Sequence, residues 1–261
     1  MGSVLKRTAA AFFSTLGVLI LFGLLLDKLE STTHSFLYAV FGWGAIVFTG
    51  LVGTPVHELG HWLGCKLFGF HVSDVALFRP VAGQYDGILG YVQYSYDAGS
   101  LWHRLGCFIT GIAPLLFGGV VILLLLRFLT PEVYRYTSAK ISDASQRARG
   151  PLGVLWAAFS GFWGGLFRLR GWGILRGLLC FYMVLSISMH MSLSPQDLIG
   201  ASAGFLLVLG LFLAYGVVTA LIGTDYRPLA IRTASMLSAF LCIGLFFCLL
   251  MLAISLLVFS L

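Results

Sequence analysis

Residues 103–129 read HRLGCFITGIAPLLFGGVVILLLLRFL, with no charged side chain between Arg104 and Arg127. An uncharged apolar stretch of this length matches the roughly 20 residues that an α-helix needs to cross the hydrocarbon core of a bilayer. It lacks the alternation of polar and apolar residues that is typical of strands in an outer-membrane barrel. The stretch therefore predicts a transmembrane helix.

The composition of the whole chain agrees with this prediction. Hydrophobic residues make up 59% of the 261 residues and charged residues only 10%, against roughly 25% charged residues in a soluble domain. The net charge of +6 does not indicate nucleic-acid binding, because the basic residues cluster in the loops between apolar stretches. We therefore expect a helical integral membrane protein in contact with the lipid bilayer, and we exclude disordered, collagen-like and disulfide-stapled chains.

Similar apolar stretches recur and predict an all-α polytopic protein, a single domain over residues 1–261 with about six transmembrane helices. The predicted spans cover residues 8–26, 36 to beyond 53, 103–129, 173–191, about 198–223 and 233–261. Between them we expect a polar turn at 27–34, a helix break at Thr54-Pro55, a polar loop at 130–150 and a short loop at 224–232. Residues 151–171 fit an interfacial helix, a re-entrant segment or a span equally well.

Residues 70–100 differ from the rest of the chain. They contain four glycines, Pro80 and three aspartates, and within 90–96 the side chains of Tyr91, Gln93 and Ser95 alternate with those of their neighbours. Alternation between turn-forming residues is typical of short strands. We expect a small β-hairpin or sheet at the edge of the membrane.

The chemistry is concentrated in residues 53–64, which read GTPVHELGHWLG. On a helix, His57 and His61 share one face and can bind one metal ion, while Glu58 can take a proton from water at the open metal position. Zinc suits a set of two histidines and a carboxylate in a hydrolase. Ionisable residues in an apolar helix are costly and usually functional, although a structural polar cluster between two spans is the alternative.

A catalytic zinc site needs a third protein ligand. Glu132 is the only glutamate downstream, and it lies in the predicted polar loop. Among the aspartates only Asp197 lies at a helix break between two apolar stretches, and unwound backbone at membrane depth is tolerated only where it is buried or lines a wet cavity. Asp197 is therefore the predicted ligand, although it also suits a helix cap, and His190 and His103 are the alternative ligands.

These motifs resemble those of the site-2 protease family of intramembrane zinc metalloproteases. Members carry H-E-x-x-H on a membrane helix and an aspartate ligand at a break before a later helix, to which residues 57–61 and 195–197 are similar. Residues 111–114 are similar to the Gly-Pro-x-x-Asn segment of the family, with Phe117 at the asparagine position. The resemblance covers about residues 36–222 as the catalytic core and is to minimal members that lack a PDZ domain.

The resemblance implies a zinc endopeptidase that cuts a membrane-embedded segment of another membrane protein. His57, His61 and Asp197 would hold Zn²⁺, and Glu58 would act as general base and then general acid. The predicted β-element would line the path of the substrate. His190 is the candidate for stabilising the oxyanion or for supporting the ligands, because the asparagines of the family motifs are missing.

Two other functions remain open at this stage. A membrane scaffold or transporter could bind zinc without hydrolysis, and a zincin of the type that trims prenylated or misfolded membrane proteins would use a downstream glutamate as its third ligand. The orientation in the membrane also stays open. The family places the site towards the cytoplasm, whereas the positive-inside rule favours the reverse for this chain.

Overall fold

Helices dominate the computed structural model, which describes residues 2–147, 150–224 and 227–260; for residues 2, 3, 7, 10, 14, 150–152 and 227–240 only the backbone is described. In chain order the elements are α1 (Gly2–Phe12), a π-helical turn (Phe13–Gly17), α2 (Val18–Phe41), α3 (Trp43–Phe68), β1 (His71–Ala76), α4 (Gly83–Asp86), β2 (Tyr91–Ser95), α5 (Leu101–Leu129), α6 (Pro131–Gln146), α7 (Gly150–Leu166), α8 (Trp172–Ser188), α9 (Pro195–Ile222) and α10 (Arg227–Phe259).

Three of the described helices are long and apolar enough to cross a membrane. They are α5, α9 and the Leu241–Phe259 part of α10. The apolar helices α8 and Gly153–Leu166 of α7 are shorter. The predicted all-α class with a small sheet is confirmed, and these helices agree with a location in the membrane.

Helix α5 lies at the centre of the bundle, in contact with α3, α8 and α9. Its side chains Phe108, Ile112, Leu115 and Ile122 are almost fully buried and belong to the main apolar core. Helix α10 contacts α2 and α7 on the other side of the bundle. Because lipid is as apolar as leucine, such a bundle depends on close packing rather than on escape from water.

Glycines allow the backbones of α5 and α9 to approach. A Cβ atom at Gly204 would overlap the carbonyl oxygen of Arg104, whereas a Cβ at Gly210 on the same helix would contact nothing within 4 Å. We expect Gly204→Ala to lower the free energy of unfolding by about 1–3 kcal/mol, because the two helices must move apart. The midpoint of thermal unfolding in detergent measures this effect. Gly210→Ala is the matched control, and an equal midpoint for both variants would contradict the packing role.

Residues 27–34 form no turn. They continue α2, which runs unbroken from Val18 to Phe41 and ends at Gly42 with a positive φ of 67°. The segment contains neither glycine nor proline, so nothing in it interrupts the backbone hydrogen bonds. Its polar side chains suggested a loop, but Asp27, Glu30 and His34 line an internal cavity instead.

The predicted break at Thr54-Pro55 is also wrong, because α3 continues through Pro55. The hydroxyl of Ser186 on α8 accepts a hydrogen bond from the Gly53 N–H (2.8 Å) and donates one to the Thr49 carbonyl (2.5 Å). A neighbouring helix thus satisfies backbone groups of the turn before the proline. The carbonyl that Pro55 leaves without its usual helical partner is that of Leu51, so these hydrogen bonds join α3 to α8 beside the proline without replacing the lost one.

The predicted polar loop at 130–150 is largely helical, as α6 occupies Pro131–Gln146. Val133, Thr137 and Ile141 recur every fourth residue and are buried against α7, so the segment is an amphipathic helix. Residues 148–149 lie outside the described part of the chain. Helix α7 takes up most of the ambiguous stretch at 151–171, and α10 begins inside the predicted 224–232 loop, of which residues 225–226 are not described.

The predicted β-element is present as an antiparallel pair of β1 and β2, running from His71 opposite Ser95 to Ala76 opposite Tyr91. The loop between the strands is held by Asp86, which accepts hydrogen bonds from the Ile88 N–H and from Arg79 (2.9 and 2.8 Å). These hydrogen bonds hold the pKa of Asp86 below its usual value. The loop between the two strands therefore folds back towards α3.

Candidate metal centre

One face of α3 carries the H-E-x-x-H motif into the interior of the bundle. His57 and His61 lie one turn apart, with ring centroids 4.8 Å from each other and with 16% and 10% of their side chains exposed. Their Nε2 atoms are 3.1 Å apart. The spacing of four residues therefore aims both rings at one point, as expected from helix geometry.

Each imidazole is held through its other nitrogen by a backbone carbonyl. His57 Nδ1 donates to the His190 oxygen (2.7 Å), and His61 Nδ1 donates to the Thr110 oxygen (3.0 Å). The Thr110 carbonyl is available because its usual helical partner, four residues later, is Pro114, which has no N–H. Ligating histidines are commonly oriented by such hydrogen bonds to the nitrogen that does not bind the metal.

Asp197 reaches the same point from the first turn of α9. Its Oδ1 lies 2.9 Å from His61 Nε2, and its carboxylate is 3.8 Å from His57 Nε2. Its Oδ2 accepts a hydrogen bond from the Ser194 N–H, while the Ser194 hydroxyl accepts one from the Asp197 N–H. Ser194 is thus the N-cap and Asp197 the third residue of a capping box, so the Oδ2 atom holds the helix start while Oδ1 faces His61.

Hydrogen-bond acceptors converge at the point where these three side chains meet. A carbonyl can only accept, so each Nδ1 carries the proton and each neutral ring presents a lone pair at Nε2. When both rings are neutral, two such lone pairs and a carboxylate oxygen converge with no donor between them. A cation bound at this point can accept an electron pair from each of the three groups. A set of two histidines and one carboxylate suits zinc.

Glu58 borders the same point but is not one of the three converging ligands. It is 7% exposed and lines the cavity that also contains the two histidines and Asp197. Gly90, just before β2, packs directly against it, because a Cβ at Gly90 would lie 2.8 Å from both the Glu58 Cγ and the Thr54 Cγ2. A carboxylate so placed can exchange protons with water in the cavity.

The cavity has a volume of about 590 Å³, within the range of ligand sites. Its wall is formed by α2, α3, the loop before β2, β2 itself and the segment that joins α8 to α9. Four carboxylates line it, Asp27, Glu30, Glu58 and Asp197, and no lysine or arginine does so among the described residues. The electrostatic character of the wall favours cations.

The other candidate ligands lie apart from this point. The His190 ring points towards Glu30 and His34, and only its backbone oxygen contacts a motif histidine; its role towards an oxyanion stays a prediction. His103, in the first turn of α5, accepts a hydrogen bond from the Asp97 N–H. Glu132 lies on α6, 3.8 Å from Arg176, and does not line the cavity.

Sequence reasoning missed the two carbonyls that orient the histidines. Pro114 was the available signal, because a proline inside an apolar helix frees the carbonyl four residues before it. Gly111 offers a second signal, since a Cβ there would lie 2.6 Å from the Asp197 carbonyl oxygen. Residues 111–114 therefore bring α5 close enough to support both His61 and the start of α9.

Comparisons of this chain with protein-family models, with curated proteins and with solved structures find no match.

Proposed function

We propose that this chain is an intramembrane zinc endopeptidase, which hydrolyses a peptide bond in or near a transmembrane segment of another membrane protein. The observation that carries the proposal is the convergence of His57 Nε2, His61 Nε2 and an Asp197 carboxylate oxygen, beside a buried glutamate that is not one of them. This is the arrangement that the resemblance to site-2 proteases implies for His57, Glu58, His61 and Asp197.

In the proposed reaction the metal ligands and the general base have separate roles. Zinc, when bound by the two histidines and Asp197, supplies the Lewis acid that polarises the scissile carbonyl and lowers the pKa of water towards about 7. Glu58 takes the proton of the attacking water and passes it to the leaving amine. The Thr110 and His190 carbonyls keep the two imidazoles in the tautomer that leaves Nε2 unprotonated.

The β-element suits a substrate in extended form. A transmembrane helix hides its peptide bonds, so a segment must unwind before it can be cut. The described sheet contains only β1 and β2, and Tyr91, Val92 and Tyr94 of β2 line the cavity. An unwound segment can therefore add to β2 as a further strand through backbone hydrogen bonds, next to Glu58.

The proposal includes a multi-pass arrangement of about six spans in the membrane. Beyond the three long apolar helices, α2 and α3 carry the polar side chains of the cavity, α2 also carries the exposed Lys28, and α8 is apolar apart from Arg176 and two serines. Ionisable residues within spans are expected to face a bundle interior or a wet cavity, as Asp27, Glu30 and Glu58 do.

Two rivals make different predictions. The zincin that trims prenylated or misfolded proteins lacks support, because Glu132 does not line the cavity. A zinc-binding scaffold or transporter would use the same ligands, but Glu58 would then have no chemical task. Metal content measured together with proteolysis distinguishes an enzyme from a scaffold.

Metal removal tests the proposal. In membranes of cells that produce the chain, labelling of new N-termini followed by mass spectrometry is expected to find cuts within or near transmembrane segments. Treatment with 1,10-phenanthroline should abolish them, because it removes zinc, and added zinc should restore them. The isomer 1,7-phenanthroline, which does not chelate, is the matched control. Stoichiometric zinc without chain-dependent N-termini would indicate the scaffold instead.

A further inference from the structure

A second group of metal-binding side chains lies in the same cavity. Glu30 and His34 are one turn apart on α2, and His190 follows the end of α8. One potential ligand atom from each of the three lies within 4.8 Å of the other two. None of the three belongs to the H-E-x-x-H motif or to its aspartate.

The contacts within this group are too long for hydrogen bonds. Glu30 Oε1 is 3.6 Å from His190 Nδ1 and 3.9 Å from His34 Nδ1, whereas hydrogen bonds end at about 3.2 Å. A tetrahedral zinc ion with bonds of about 2.0–2.1 Å sets its ligand atoms about 3.3 Å apart. These two distances exceed the spacing around a bound zinc by less than an ångström, which small side-chain rotations can close.

Buried polar atoms of all three residues also lack partners. Glu30 Oε2, His34 Nε2 and His190 Nε2 have no hydrogen bond to any described residue, and the His190 side chain is only 8% exposed. Two hydroxyls lie next to the cluster: that of Thr54, 3.5 Å from His190 Nδ1, and that of Ser192, which hydrogen-bonds to the Glu30 carboxylate. Buried polar groups in native proteins are normally paired, so each of the three side chains keeps one unpaired polar atom, while the ring nitrogens that face Glu30 are the Nδ1 atoms.

The carboxylates of the cavity also favour a bound cation. Glu30 is accompanied by Asp27 on the same face of α2, and both line a cavity with two further carboxylates and no lysine or arginine among the described residues. Two histidines and a glutamate form a donor set that suits zinc.

We propose that Glu30, His34 and His190 hold a second transition-metal ion, of which zinc is the best match, next to the motif site. The position of His190 indicates a structural role. Its ring belongs to this second cluster, while its backbone oxygen accepts the hydrogen bond from His57 Nδ1. A metal here ties α2 to the segment between α8 and α9 and so fixes the carbonyl that orients a ligand of the first site.

The second site does not depend on hydrolysis, so zinc stoichiometry tests it. The full chain, purified in detergent with zinc and then dialysed, is expected to contain two equivalents by mass spectrometry. His34→Ala and the isosteric Glu30→Gln should each lose one equivalent, as should Asp197→Ala through the first site. The combination of His34→Ala with Asp197→Ala should lose both, whereas His103→Ala, at a histidine outside both groups, should keep two. Thermal unfolding shows whether each variant is folded.

Each other pattern has a distinct meaning. If the chain contains one equivalent of zinc, and this zinc is kept in His34→Ala and Glu30→Gln but lost in Asp197→Ala, there is no second site. The proposed function is then left intact. If the chain contains one equivalent of zinc that is lost in His34→Ala but kept in Asp197→Ala, the second site is supported and the proposed function is overturned. A chain without zinc overturns both.

Discussion

Glu58→Gln is expected to lower the rate of proteolysis by about 100- to 10,000-fold, the usual contribution of a general acid–base group. Glutamine keeps the size and hydrogen-bonding oxygen of the buried side chain but cannot accept a proton from water. Zinc should stay in place, because Glu58 is not among the three converging ligands. New N-termini in membranes of producing cells measure the loss, and elemental analysis measures the retained metal.

Glu132→Gln is the matched control for this experiment. It makes the same chemical change at a partly exposed carboxylate on α6, outside the cavity, and should leave the new N-termini unaltered. Normal cleavage by the Glu58→Gln chain would refute the hydrolytic mechanism. Loss of zinc together with activity would instead place Glu58 among the ligands.

Asp197→Ala is expected to abolish both proteolysis and binding of the motif zinc. Loss of a residue that only supports a ligand already lowers metal affinity about 10- to 100-fold, so loss of a ligand should cost at least as much. The alanine also removes the acceptor of the Ser194 N–H, which should cost about 1 kcal/mol of local stability. Zinc titration against a competing chelator measures the affinity.

Asp197→Asn separates ligation from capping. Asparagine can still accept the Ser194 hydrogen bond, so the start of α9 should survive, but it supplies no anionic oxygen to the metal next to His61. We expect activity to be lost in this variant as well. Asp143→Asn, an exposed aspartate paired with Arg147 on α6, is the control. An asparagine variant with full zinc and normal cleavage would transfer the role of third ligand to another residue and weaken the resemblance to site-2 proteases.

The H-E-x-x-H motif could be recognised in the sequence because it is local. His57, Glu58 and His61 lie within five residues of one helix, and the period of the helix alone dictates which of them share a face. The apolar stretches likewise predicted α5, α8 and α9 to within a few residues, since hydrophobicity over that length depends on no distant contact. Asp197 was identified by elimination and by its position at a helix break, and the structure brings it to the motif.

Polar stretches were the least predictable part of the fold. The segments 27–34 and 130–150 were interpreted as a turn and a loop because their side chains are polar, yet residues 27–34 and 131–146 are helical. A polar side chain indicates polar surroundings, which a helix also provides where one of its faces lines a cavity or lies on the outside of the bundle. Backbone hydrogen bonds decide the conformation instead: residues 27–34 contain no glycine or proline, and Pro131 stands at the first position of α6, where its missing N–H costs no helical hydrogen bond.

By itself, the sequence determined the helical membrane class, the small β-element and the face of α3 that presents two histidines and a glutamate. Only the tertiary structure could assign the partners that lie far along the chain. The His190 carbonyl is 133 residues from the imidazole that it orients, and the ring of the same residue joins Glu30 and His34 of α2. Such contacts are set by how helices pack, and packing is invisible in any local pattern because it depends on which faces meet after the chain has folded.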